Sequence, residues 1–303
     1  MSTDTAAMAP PPASSSTGPL AIVRTPADLR ARVAAWRKEG LRVGLVPTMG
    51  ALHEGHLTLV KRARELADRV VASVFVNPTQ FGPNEDFSRY PRDEAGDARL
   101  LAGAGCDLLY APGVEAIYPP GFTTTVDVGP VAVPLEGHFR PGHFQGVATV
   151  VTKLLLQALP DVACFGQKDY QQLAVIRRLA ADLDIPVRIE GVPTVREADG
   201  LALSSRNRYL SAEERQQAVT ISRVLNRLRD TLGDGSQPVA PAITQATEAL
   251  TAAGFTRIDY VAVVDAGTLA PLERVDRPAR ALVAAFLGRT RLIDNLALGP
   301  DVP

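Results

Sequence analysis

Val46-Pro47-Thr48-Met49-Gly50-Ala51-Leu52-His53-Glu54-Gly55-His56 decides the reading of this chain. The run Val43 to Val46 before the proline is short, apolar and rich in valine, as a buried parallel strand should be. After it, Leu57, Val60, Ala63 and Ala67 recur at helical spacing. The stretch therefore reads as strand, turn and helix start, with two histidines at the mouth of the helix. There, unpaired backbone N–H groups and the positive end of the helix dipole form an anion site, and Gly50 and Gly55 let a phosphate chain approach the backbone. Two imidazoles added at that point suit a triphosphate. Two other readings stand beside this one. The pair can simply satisfy the helix cap, or it can bind metal, since His-Glu-Gly-His is one residue short of the H-E-x-x-H zinc pattern. That shortfall removes the i, i+4 spacing that sets both rings on one helical face.

Moving outward, Thr25-Pro26, then Leu29, Val33 and Trp36, and finally Gly40 predict a capped helix leading into the strand. Val70 to Val76 predicts a second strand, ending in Asn77-Pro78-Thr79-Gln80-Phe81-Gly82. Strand, helix, strand in that order implies a parallel pair with a right-handed crossover. The carboxyl ends of both strands, where ligands collect in such sheets, then face one crevice. Pro83 to Pro91 is charged and turn-rich, and a helix over 93–103 and a short strand over 107–110 follow it. Gly121 to Pro134 alternates Thr and Val and is expected to have strand character. His138-Phe139-Arg140-Pro141-Gly142-His143-Phe144-Gln145-Gly146 is a second polar loop, feeding a helix over 147–158. A strand over 162–165 ends at Gly166-Gln167-Lys168-Asp169, before a helix over 170–181.

Lys168, at a strand end, is placed to reach a phosphate as a point charge, or else it is a solvated surface lysine. Asp169 either binds nucleotide or Mg2+ or caps the helix. Gln171 and Gln172 are equally open. A strand over 187–195 runs into Arg196-Glu197-Ala198-Asp199-Gly200-Leu201-Ala202-Leu203-Ser204-Ser205-Arg206-Asn207, whose hydroxyls and guanidinium suit a phosphate clamp. Helices over 212–232 and 243–252 and apolar runs at 258–264, 281–287 and 291–298 predict a second domain with a three-stranded sheet, beginning near Val195.

With 303 residues there is room for two domains. Lys and Arg number 32 against 33 Asp and Glu, so no global charge points to nucleic acid or to an anionic membrane surface. Cys106 and Cys164 form neither a disulfide framework nor a metal spacing, which suits a reducing cytoplasm. No apolar run approaches the roughly 20 residues that span a bilayer. Residues 1–19, mostly Ala, Pro, Ser and Thr with one acidic residue and no base, are expected to be a disordered extension and match neither a secretory signal nor a transit peptide.

Four motifs in order, Pro-Thr-Met-Gly-Ala-Leu-His-Glu-Gly-His, Phe-Val-Asn-Pro-Thr-Gln-Phe, Phe-Gly-Gln-Lys-Asp-Tyr-Gln-Gln-Leu and Val-Arg-Glu-Ala-Asp-Gly-Leu-Ala-Leu-Ser-Ser-Arg-Asn, resemble the pantothenate synthetase (pantoate:β-alanine ligase) family. The resemblance runs from about Leu20 to Leu298. It implies an α/β fold: a Rossmann-like, parallel-sheet nucleotide-binding domain of the HxGH adenylyl-transfer class over 20–194, and a smaller α+β C-terminal lid domain over 195–303. It also implies a homodimer that condenses pantoate with β-alanine through an acyl adenylate, using ATP and Mg2+. By this resemblance Met49, Gly50, Ala51, Leu52, His53, Glu54, Gly55 and His56 line the nucleotide, and His56 is the proton donor. Lys168, Arg206, Ser204 and Ser205 hold the phosphates, while Gly166, Gln167, Asp169, Val195 and Leu203 complete the ATP site. Gln80 and Gln172 bind pantoate, Gln80 also touches β-alanine, and Asp97 is the expected protein ligand of Mg2+. Gln145 and Gln167 depart from the family pattern, where Arg and Glu are common. Three rivals are a nucleotidyltransferase, a metallohydrolase using His53, His56, His138 and His143, and a non-catalytic nucleotide sensor.

Overall fold

A computed structural model describes residues 19–82 and 87–299. The extension expected over 1–19 therefore lies, except for Pro19, outside the described residues, as does part of the turn-rich segment after Gly82.

Six parallel strands form the main sheet: β1 (Ala21–Val23), β2 (Val43–Thr48), β3 (Arg69–Val74), β4 (Leu108–Tyr110), β5 (Val162–Gly166) and β6 (Arg188–Val192). Their spatial order is β1-β4-β3-β2-β5-β6. From β2 the chain builds outward to one side through β3 and β4, then returns to place β5 on the other side of β2. The order reverses between β2 and β5, and the carboxyl ends of these two strands border the crevice where ligands collect in open α/β sheets.

Helices cover both faces. The connections are α1 (Pro26–Lys38), α2 (Glu54–Leu66), α3 (Glu94–Gly103), the short α4 (Val114–Ile117) and α5 (Glu136–Phe139), then α6 (His143–Ala158) and α7 (Tyr170–Asp182). Alternation along β2 decides which face each side chain serves. Val43 and Leu45 pack with Leu29 of α1, Leu155 of α6 and Ile176 of α7, whereas Val46 packs with Val60 of α2 and Leu101 of α3. A strand buried on both sides has no polar alternation, which is why Val43 to Val46 reads as one apolar run.

Beyond β6 lie α8 (Ala212–Ala218), α9 (Thr220–Leu232) and α10 (Val239–Ala252), and an antiparallel sheet of β7 (Arg257–Asp265), β8 (Ala279–Leu287) and β9 (Thr290–Leu298) in the order β7-β8-β9. Ala281, Val283 and Ala285 of β8 face α9 and α10, while Leu282 joins the core of the parallel-sheet unit. A bulge between Ile258 and Tyr260 interrupts the pairing of β7 with β8. Arg196 grips Asp294 of β9 through two bonds, at 2.7 and 3.0 Å, just after the parallel sheet ends.

Three expectations are corrected. The Thr/Val segment from Gly121 to Pro134 contains no strand. Val126 gives its N–H to Thr149 Oγ1 at 3.0 Å rather than to a ladder, and a 3-10 turn occupies Gly129–Ala132. The single helix expected over 212–232 is broken at Val219, whose N–H turns back to the Gln217 carbonyl. The expected strand over 187–195 stops at Val192, and β1, which had not been anticipated, pairs with β4 at the sheet edge.

Candidate active site

At the end of β2 the backbone turns through Gly50 (φ 84°) and Ala51 (φ 53°). The left-handed conformation costs a residue with a Cβ about 1–2 kcal/mol, and Asp97 of α3 holds it in place. The carboxylate is 3 % exposed. It accepts the Ala51 N–H at 3.1 Å and the Leu52 N–H at 2.9 Å. A Cβ on Gly50 would meet Asp97 Oδ2 at 2.9 Å and Val74 at 3.1 Å, so this approach requires glycine. Burial raises the Asp97 carboxyl above its usual range, while the two N–H donors pull it down. Both Asp97 oxygens accept loop N–H groups, so the side chain that the family resemblance offers as a Mg2+ ligand also shapes the turn.

His53 caps α2 and His56 completes the cap from inside the first turn. The Gly55 N–H reaches His53 Nδ1 at 3.2 Å, and the His53 N–H reaches His56 Nδ1 at 3.3 Å. Each Nδ1 is therefore an acceptor, so each neutral ring carries its hydrogen on Nε2. Capping and ligand binding are compatible, since the cap uses one nitrogen per ring and leaves the other to donate. Burial, reinforced by the charges of Lys168 and Arg208, lowers the His53 pKa. Burial, then His53 and Lys168, brings His56 down to about 3 despite Asp169. Both rings are neutral near pH 7.

The Lys168 charge acts on both imidazoles because β5 lies directly beside β2, with Gly44 opposite Val162. The turn Gln167–Asp169 is pinned from the other sheet: the Asn295 amide donates to the Gln167 carbonyl at 2.9 Å and to the Lys168 carbonyl at 2.8 Å. Gln167 points its own side chain at the Gly191 carbonyl, 3.3 Å away. The loop after β6 folds back through a bond of 2.9 Å from the Leu203 N–H to the Val195 carbonyl. Leu203 then lies over the His53–Gly55 turn, its Cδ2 3.9 Å from where a Gly55 Cβ would stand. Ser204 Oγ accepts the Arg206 N–H at 3.2 Å.

A cleft of about 1090 Å3 opens between the two sheets, and Gln80, Lys168, Asp169, Ser204 and Arg206 lie on its wall. The Met49 to His56 segment is not part of this wall but adjoins it, with the Gln80 Nε2 3.0 Å from Met49 Sδ. Gly166, Gln167, Gln172, Val195, Leu203 and Ser205 are also absent from the wall.

Gln80 is aimed by Asn77, which is 1 % exposed. The Asn77 amide donates to Gln80 Oε1 at 3.0 Å and to the Gly146 carbonyl at 3.2 Å, and its oxygen accepts the Tyr118 hydroxyl at 2.8 Å. Sequence reasoning placed Asn77 in a polar strand end but missed this orienting role, because its partners are remote in the chain. The two glutamines of α7 differ. Gln171 is buried and bonded to the Val131 and Pro134 carbonyls at 3.1 and 2.7 Å. Gln172 is half-buried, and its side chain has no hydrogen-bond partner among the described residues.

The four histidines do not form one metal centre. His143 uses both nitrogens, Nδ1 on the Gln80 carbonyl at 2.8 Å and Nε2 on Arg140 at 3.1 Å. Among the described residues no three His, Cys, Asp or Glu side chains gather to hold a metal.

Comparison with known proteins fits this geometry. The family model for pantoate-beta-alanine ligase matches residues 21–297. Over 279 residues the chain is 64% identical to a pantothenate synthetase of Paramagnetospirillum magneticum, covering 92% of this chain and 98% of that relative. The crystal structure of pantothenate synthetase from Thermus thermophilus aligns with a TM-score of 0.86 and 54% identity, over 93% of this chain and all (100%) of that one. A pantoate-beta-alanine ligase from Francisella tularensis, solved with beta-gamma ATP and beta-alanine, aligns with a TM-score of 0.76 and 34% identity, over 91% and 97% of the two chains.

Proposed function

This chain belongs to the pantoate-β-alanine ligase family, and on that premise we propose that it condenses pantoate with β-alanine, using ATP to activate the acid. The pantoate carboxylate attacks the α-phosphorus, pyrophosphate leaves, and the β-alanine amine then displaces AMP from the acyl adenylate. Bringing an anion onto a polyphosphate requires donors and positive charge already in place where charge accumulates. The observation that carries this reading is the meeting of two strand ends: the Nε2–H groups of His53 and His56 at β2 stand within the field of Lys168 at β5.

In this reading Met49 to His56 line the nucleotide, and the neutral imidazoles donate to phosphate oxygens. As phosphate charge arrives His56 gains basicity; to serve as the proton donor the resemblance implies, it takes up a proton at Nδ1, releasing the His53 N–H, and passes its Nε2 proton to a leaving oxygen. Lys168 and Arg206 draw off the charge of the departing pyrophosphate, with Ser204 and Ser205 as neutral donors. Gly166, Gln167, Asp169, Val195 and Leu203 surround the adenosine. Gln80 and Gln172 hydrogen-bond the hydroxyls and carboxylate of pantoate, and the cleft in front of Gln80 admits β-alanine.

Mg2+ accompanies ATP as the counter-ion of its phosphates. Asp97 accepts two loop N–H groups, and among the described residues no three His, Cys, Asp or Glu side chains gather to hold a metal. It is therefore assigned to the phosphates and to water. A homodimeric, cytoplasmic enzyme completes the proposal. Both cysteines are buried free thiols, and among the described residues no helix is long and apolar enough to cross a membrane.

Pyrophosphate and AMP release, followed while pantoate and β-alanine are added separately, tests the assignment. Pyrophosphate formation that needs pantoate but not β-alanine, followed by AMP release on adding the amine, is expected. Dependence on a phosphorylated acceptor instead would establish nucleotidyl transfer.

A further inference from the structure

The wall of the cleft also carries a buried ionic chain that the proposed reaction does not use. It begins on the antiparallel sheet, where the Arg291 guanidinium binds the Glu136 carboxylate at 2.6 and 2.8 Å, and Tyr260 adds its hydroxyl at 2.8 Å. Arg291 Nε is fixed in turn by Asp259 at 2.7 Å, beside the bulge in β7. Glu136 is 7 % exposed, and its other carboxylate neighbour is Arg140, one helical turn on, at 3.8 Å. From Arg140 the chain reaches the substrate side. Arg140 Nη1 lies 3.1 Å from His143 Nε2, and His143 Nδ1 lies 2.8 Å from the Gln80 carbonyl.

The direction of these bonds is determined. A carbonyl oxygen only accepts, so His143 must donate from Nδ1, which leaves Nε2 as the acceptor for Arg140. Arg140 Nη2 also approaches the Gln80 carbonyl, at 3.5 Å. The Gln80 backbone is thus held by a relay whose far end is on β9, while its side chain is held by Asn77. Buried pairs of this kind add little net stability against apolar substitutes, yet they fix geometry, and removing one partner strands the other.

We propose that Arg291 is a positioning residue for the acid substrate: through Glu136, Arg140 and His143 it sets the Gln80 backbone, so the pantoate pocket is fully formed only when the antiparallel sheet is docked. This rests on the reading of Gln80 as a pantoate ligand. Arg291 acts through the relay and is not itself assigned to the reacting atoms.

The test is steady-state kinetics on the full chain, with pantoate and ATP varied separately, for Arg291→Met, Glu136→Gln and the double variant. Each single change is expected to raise the KM for pantoate by roughly ten- to a hundredfold, the scale at which a misplacement of about 1 Å acts. The KM for ATP should move by less than about threefold, a change smaller than half a tenfold step in free energy. The double variant should resemble the worse single one, because both break one relay. Tyr260→Phe, which removes one bond without stranding a charge, is expected to fold normally and to raise the pantoate KM by about two- to fivefold. Pantoate and ATP KM values that move together, or a Tyr260→Phe enzyme with unchanged pantoate KM, would overturn the inference. Gln80→Ala serves as the control. If it leaves the pantoate KM unchanged, the substrate reading itself fails. If it raises that KM while Arg291→Met does not, only the relay fails.

Discussion

Asp97 holds Ala51 in a left-handed conformation from 46 residues away, its Oδ2 3.1 Å from the Ala51 nitrogen. The same carboxylate secures Leu52, so one buried side chain shapes the turn that presents both histidines. Asp97→Asn keeps the shape but leaves one oxygen to accept two N–H groups. We expect a loss of about 1–2 kcal/mol in urea unfolding and a KM for ATP raised roughly tenfold, through misplaced donors. The Mg2+ concentration for half-maximal rate should stay unchanged. A variant altered in Mg2+ dependence alone would return Asp97 to the metal.

His56 gives a pH signature. Its folded pKa lies near 3 against 6.5 in a free side chain, so the unfolded chain takes up the proton first as pH falls. Its contribution to stability is complete above pH 6.5 and is lost on going down toward 3, at about 1.4 kcal/mol per pH unit. His56→Gln should flatten the stability profile in that window, read as urea midpoints at pH 7, 5 and 4. Parallel profiles for the two proteins would show that the ring is not held neutral.

Lys168→Met tests the meeting of β2 and β5. Pantoate-dependent pyrophosphate release should fall roughly 10²- to 10³-fold, the loss typical of removing one preorganised group from a developing charge. Lys168 is only half-buried and carries no ion pair among the described residues, so the melting temperature should change by no more than a few degrees. Equal losses of stability and rate would make it a structural residue.

Gly146→Ala probes the pantoate side without altering a polar side chain. The new methyl would stand 2.3 Å from the Thr79 carbonyl oxygen and 2.8 Å from the Gln80 nitrogen, both backbone atoms. Overpacking of this kind costs about 1–3 kcal/mol. The pantoate KM should rise more than the ATP KM, and an unchanged pantoate KM would separate this segment from the acid pocket.

What could be read from the sequence follows the range of the interactions. Val43 to Val46, the cap at Thr25 and the Gly-punctuated strand ends are local signals, and they located β2, α1, α2, β5 and the three-stranded sheet to within a few residues. The Gly121 to Pro134 segment misled because Thr/Val alternation shows which side chains turn inward but not where the N–H groups go. Val219 offered no glycine or proline to mark the helix break. The loop-shaping role of Asp97 and the orienting role of Asn77 were overlooked for the same reason: each acts on a partner that only the folded chain brings near. Gln171 and Gln172 are indistinguishable as text, and helix α7 separates them by turning one inward.

The Asn295 amide grips two successive carbonyls of the turn that carries Lys168. The last strand is thereby tied to the backbone beneath that ammonium. Any outward swing of the antiparallel sheet must either drag this turn along or break both bonds at once, and under the proposed function uncovering the crevice and loosening the nucleotide become a single mechanical event.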